Sequence, residues 1–224
     1  MDRRTRRRYH NAHYANRQPS RLARRQVSRP RGDHRERRTE IALAAADVIA
    51  ARGLERVTLR EIAAALGVTT GVLTHYFPSK DALLLHTKQL AFDRSFARAQ
   101  AAAEGPPGLE TVHAVVEAVL PIDRERRTLW RLLVAFFGSA VGSPSRRRVQ
   151  ERRMRRWYDL FLRVVAPLHD TGELSRDTDP MTVAMALALF VEGMAIHLVM
   201  TSPDASAEWQ VTFAREQVRR LVSH

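Results

Sequence analysis

Apolar residues recur along this chain at helical spacing, and no stretch alternates with the two-residue period of a strand. In residues 39–52, Ile41, Ala45, Val48 and Ile49 form one stripe, and Gly53 ends it. In residues 58–66, Leu59, Ile62, Ala63 and Leu66 share a face, and Gly67 follows where the chain must turn. Thr58 and Glu61 stand at the spacing of a capping box, and Thr69 stands where a second short helix needs its N-cap. That helix carries Val72 and Leu73 inside and closes at Tyr76-Phe77, with Pro78 behind it. Ser79 then caps a long helix over residues 79–103, with Leu83, Leu84, Leu90 and Ala91 facing inward.

Gly105-Pro106-Pro107-Gly108 is the clearest break. Beyond it the pattern predicts helices over 109–120, 124–141, 145–169, 180–200 and 204–222. Pro121, Gly142-Ser143-Pro144, Thr171-Gly172 and Thr201-Ser202-Pro203 separate them. Pro167 can bend or end the third of these early. Asp179-Pro180 is a strong helix start, a capping carboxylate followed by proline at the first position. The expectation is an all-α chain with a disordered arginine-rich extension over 1–38, a head over 39–90 and a helical body over 91–224. The domain boundary falls inside a helix that crosses it.

Charge sharpens the picture only in part. The net charge of +13 and pI near 11.3 point to a polyanionic partner. Residues 1–38, however, hold 14 arginines against Asp2, Asp33 and Glu36, and so carry most of that excess. They could form a basic arm on phosphates or in a minor groove, or be a solvated extension or a start-site artefact. The case for DNA therefore rests on the motif. A second basic run, Arg146 to Arg148 with Arg152, Arg153, Arg155 and Arg156, reads as a solvated face. The absence of cysteine excludes disulfides and thiolate metal sites and fits a reducing cytoplasm. No secretory signal is expected, and the apolar run 183–191 meets Glu192 too soon for a membrane span, so no membrane partner is expected. No phosphate loop, G-x-S-x-G or H-E-x-x-H occurs, so no catalytic residue, metal site or cofactor is expected.

The two short helices have the form of a helix-turn-helix, whose second helix enters a DNA major groove. The run GVTTGVLTHYFPSKDALL, preceded by TLREIAAAL, closely resembles the DNA-binding domain of TetR-family transcriptional regulators over residues 39–90. Thr74 departs from the tyrosine that many members carry. The segments LWRLLVAFFGSA, GSPSRRR and ALALFVEGMA resemble, more loosely, the body of that family's betaine-type subgroup.

The resemblance implies that Thr69, Thr70, Gly71, Leu73, Thr74, His75 and Tyr76 lie at the major-groove surface. Tyr76 and Lys80 would anchor phosphates, and Thr58 and Arg60 would touch the backbone. Core packing is the competing reading for Leu73 and Tyr76. It also implies a homodimer through the last two helices, for which Met181, Met185, Leu189, Phe190 and Met194 offer a wide apolar surface. A body of this kind needs an effector pocket, and His113, Trp130, Phe137, Trp157, Phe161, Phe190 and Glu192 are the candidates. Each is equally at home in a core. The expected function is that of a ligand-responsive transcriptional regulator, a repressor that releases operator DNA when a small molecule binds. Two alternatives from other classes are a nonspecific nucleic-acid-binding protein driven by the basic arm and an enzyme using the helical body.

Overall fold

The computed structural model describes residues 34–141, 144–202 and 204–223; expectations for residues 1–33 lie outside it. Among the described residues the chain is helical throughout, without a strand. The head contains α1 (His34–Arg52), α2 (Leu59–Leu66) and α3 (Thr70–Tyr76). The 23-residue α4 (Lys80–Ala102) leaves the head and becomes part of the body. The body continues with α5 (Leu109–Val119), α6 (Arg124–Val141), α7 (Pro144–Val165), the short α8 (Leu168–Thr171), α9 (Pro180–Thr201) and α10 (Ala207–Val222).

Local signals account for most of these boundaries. Ser79 accepts a hydrogen bond from the Ala82 amide at 3.1 Å and starts α4. Asp179 accepts from the amides of Met181 and Thr182, with Pro180 at the first turn of α9. Those bonds hold the Asp179 carboxyl below its ordinary pKa, the Thr182 side chain contributing most. Two helix starts differ from expectation by three residues or more, and one is α10, which opens at Ala207 rather than 204. Helix α1 begins at His34, five residues before 39, so residues 34–38 are part of the head. The helix expected over 145–169 ends at Val165, because Pro167 removes an amide and restricts the residue before it, and α8 takes up the chain.

Two apolar clusters fill the interior. One joins α4, α5, α7, α9 and α10 around Phe96, Val116, Phe161, Leu187 and Val218. The other joins the head to the body: Ile41, Ile49, Ile62, Leu73 and Phe77 pack in one cluster with Leu129, Trp130, Leu132, Leu133 and Phe136 of α6 and Ala195 of α9. Helix α6 thus touches α1, α4, α7 and α9. By length and composition α9 could cross a membrane. Here Val183, Ala184, Leu187, Ala188, Val191, Ala195 and Leu198 make its buried side. Its other side stays open, with Met181, Met185, Leu189 and Met200 exposed, and Trp209 and Phe213 of α10 are exposed as well.

Candidate DNA-reading face and effector pocket

The head is held rigid by contacts that begin locally. The Thr58 amide donates to Glu61 Oε2 at 2.9 Å, and the Glu61 amide donates to Thr58 Oγ1 at 3.2 Å, closing the capping box. Arg52 adds an ion pair to Glu61 at 2.8 Å. The bonds from Thr58, backbone first, hold the Glu61 carboxyl below its ordinary pKa. Gly67 ends α2 at φ +66°, a left-handed conformation that disfavours a side chain. The Thr58 hydroxyl is engaged with Glu61, while Arg60 beside it is exposed.

Helix α3 turns Leu73 fully inward, and Phe77 behind it is 1% exposed. This corrects the sequence expectation for Leu73, which packs in the head's core and has no surface to offer DNA. Thr69, Thr70, Gly71, Thr74 and His75 are all exposed. Thr69 occupies the N-cap without a side-chain bond, so its hydroxyl is not committed to the cap. Thr74 donates to the Gly71 carbonyl at 3.1 Å. Tyr76 is half-buried, its ring 4.9 Å from that of His34 and 5.0 Å from that of His75. Lys80 is half-buried at the start of α4.

Arg38 is the residue sequence reasoning missed here. Its guanidinium donates to the Tyr76 carbonyl at 2.8 Å and lies over the Phe77 ring at 4.4 Å. A side chain 38 residues away therefore satisfies the carbonyl end of α3 and fixes it against α1. Its place in an arginine-rich run concealed this.

In the body, a pocket partly open to solvent has a cavity volume of about 50 Å³. Phe92 and Ser95 of α4, Trp130, Leu133 and Phe137 of α6, Gln150, Arg153, Met154, Trp157 and Phe161 of α7, and Ala188, Val191 and Glu192 of α9 line it, with Val119. Five of the seven candidates, Trp130, Phe137, Trp157, Phe161 and Glu192, come together there. The Trp130 indole donates to the Val119 carbonyl at 2.7 Å, which fixes that ring in the wall. Burial pushes the Glu192 carboxyl above its ordinary pKa.

The other two candidates lie elsewhere. His113 is 1% exposed on α5, and both ring nitrogens lack a hydrogen-bond partner. Burial, followed by the nearby Arg215, lowers its pKa. Phe190 faces α10, its ring 6.3 Å from Phe213. Helical spacing placed both on apolar faces but could not say that those faces look away from the pocket.

Arg153 is the reverse case. The basic run on α7 reads as solvated, yet Arg153 is only 6% exposed. Its Nη2 donates to Gln89 Oε1 at 2.6 Å and its guanidinium sits 4.9 Å from the Phe92 ring centre. Arg156 lies over Phe96 at 4.2 Å and pairs with Asp93 at 3.9 Å. Among the described residues no cluster of three His, Asp or Glu side chains gathers as a metal site.

Short paired helices that bury their inner faces and leave a polar outer face open place the chain among helix-turn-helix DNA-binding regulators. Similarity to known proteins narrows the class. Residues 41–87 match the bacterial regulatory proteins of the tetR family, and residues 108–223 match the BetI-type transcriptional repressor C-terminal domain. The chain belongs to the TetR family of transcriptional regulators, with a BetI-type C-terminal domain. It is 25% identical over 194 residues to the HTH-type transcriptional regulator BetI 1 of Chromohalobacter salexigens, covering 84% of this chain and 93% of that one. It is 29% identical over 187 residues to BetI of Rhizobium meliloti, covering 81% and 87%. A transcriptional regulator from Saccharomonospora viridis in complex with choline has the same fold, with a TM-score of 0.72 at 24% identity, covering 85% and 97%.

Proposed function

We propose that this chain is a dimeric, ligand-responsive repressor that holds operator DNA through the outer face of α3 and releases it when a small molecule fills the body pocket. The observation that carries this reading is the shared apolar cluster. Trp130 and Leu133 line the pocket and also belong to the cluster that contains Leu73 and Phe77 of the head. A ligand that shifts α6 moves the base on which α3 stands, because close-packed interiors transmit displacement.

Thr69, Thr70, Gly71, Thr74 and His75 contact bases or phosphates, with Tyr76, Lys80, Arg60 and Thr58 at the backbone. Leu73 acts beneath them as packing. The reading helix carries no arginine, so specificity leans on threonine and histidine contacts, DNA shape and water. The exposed stripe of α9 and the exposed rings of α10 pair with a second copy, which doubles the bases read and fixes the spacing of half-sites. Gly193 supports the seam. It lies on the exposed side of α9, and a Cβ added there meets no heavy atom within 4 Å in the protomer. Among the described residues nothing requires its small size, which leaves room for a second α9 to approach closely. The protein acts in the cytoplasm, where its DNA is, and performs no catalysis.

The test is reciprocal linkage. An effector that lowers operator affinity by some factor must itself bind that much more weakly to the DNA complex. Titration of an effector into free protein and into protein bound to operator measures both. Equal effector affinity in the two titrations overturns the release mechanism.

A further inference from the structure

We propose that the effector pocket takes an apolar carboxylic acid, its carboxylate paired with Arg153 and its hydrocarbon body against the aromatic walls. This rests on the pocket being the effector site.

Among the described residues, Arg153 is the one basic side chain in the pocket wall. A guanidinium stays protonated at any working pH, so Arg153 presents a permanent positive charge. The Asp93 carboxylate acts on it electrostatically without forming an ion pair. It donates to Gln89 and lies over the ring of Phe92, and among the described residues no carboxylate forms an ion pair with it. Asp93 itself pairs with Arg156 and accepts from the Gln89 side-chain amide. A buried cation with unused donors on its fork is the element that recognises a carboxylate, through two parallel N–H···O bonds.

Glu192 is the other ionisable wall residue. It forms no ion pair with Arg153, and burial favours its neutral form. The face of Phe92 is already occupied by Arg153, and Arg156 covers Phe96. An ammonium ligand would therefore share the pocket with a like charge. Trp130, Leu133, Phe137, Trp157 and Phe161 remain to enclose hydrocarbon.

Three probes with one chain length separate the outcomes: octanoate, 1-octanol and octyltrimethylammonium. Each is titrated by calorimetry into the full chain at pH 7.5, with wild type, Arg153→Met, Arg153→Lys and Glu192→Gln. The expected result is that octanoate binds about tenfold to a hundredfold tighter than octanol, the usual advantage of a charge-assisted pair. Arg153→Met should erase that advantage and leave octanol unchanged, which also shows that the variant is folded. Arg153→Lys should keep part of it, and Glu192→Gln should keep most of it. Tightest binding by octyltrimethylammonium, abolished by Glu192→Gln, overturns the proposal while leaving the pocket as the effector site. Failure of all three probes to bind overturns the pocket itself as an apolar ligand site.

Discussion

Gly193 offers the sharpest test of the assembly, because one methyl group has opposite effects in the two cases. In a helix interior glycine is roughly 1 kcal/mol worse than alanine, from backbone entropy alone. Position 193 lies mid-helix in α9 with open space around its ideal Cβ, so Gly193→Ala meets no clash within the protomer. In a monomer the substitution should therefore stabilise the chain by about 1 kcal/mol and raise Tm by about 2–4 °C. At a tight helix crossing the same methyl sits against the partner's backbone, and overpacking of this kind costs about 1–3 kcal/mol. A twofold seam presents the position twice. We expect the dimer dissociation constant of Gly193→Ala to rise at least about tenfold, since 1.4 kcal/mol is one decade. Gly193→Leu should leave a monomer at micromolar concentration. Sedimentation equilibrium across a dilution series measures both. A Gly193→Ala protein that dimerises as tightly as wild type and melts higher would show that the glycine is not at the seam.

Three further expectations follow from single contacts. Arg38→Met removes the bond to the Tyr76 carbonyl and the cation over Phe77; it should cost about 1–2 kcal/mol in denaturant unfolding and weaken DNA binding through a loosened α3. Ser79→Ala removes the cap at the Ala82 amide and should cost about 1 kcal/mol, with the secondary structure unchanged by circular dichroism. His113 has a folded-state pKa below the ordinary 6.5, from burial first and Arg215 and Arg219 after it, with Glu110 and Glu117 opposing. The unfolded chain therefore takes up its proton first as pH falls. This stability is present above about 6.5 and is lost as pH drops toward the depressed value. His113→Leu should flatten that acid loss in Tm measured from pH 8 to pH 5; an unchanged slope would assign the loss to other groups, such as His86, which is shifted the same way.

What the sequence disclosed was local. The helix expected over 124–141 is α6, Arg124–Val141, because Pro121 and the Gly142-Ser143-Pro144 break bracket a strong stripe. The capping box at Thr58, the left-handed Gly67 and the Asp179-Pro180 start are all short-range devices, and each is present. What stayed hidden depends on distant partners. The start of α1 at His34 goes with Arg38 reaching Tyr76, a contact no local pattern encodes. Arg153 sits in a basic run whose members Arg152 and Arg155 are exposed, and only the packing of Gln89 and Phe92 reveals that it is buried. His113 and Phe190 show the limit of periodicity: it says that a residue faces apolar surroundings and not which ones. Leu73 shows the limit of resemblance, since membership of a motif did not distinguish a residue that supports the reading face from one that forms it.

The central claim is that the outer face of α3 reads a DNA sequence. The most direct test is selection from a pool of randomised duplexes at physiological salt, using the full chain and a variant with Thr70→Ala and His75→Ala together. The account predicts that the full chain enriches an inverted repeat with half-sites a helical turn or a multiple apart. The variant should lose that enrichment while keeping its melting temperature. Enrichment of no sequence by the full chain, with affinity that collapses steeply as salt rises, would contradict it and leave only phosphate-driven binding.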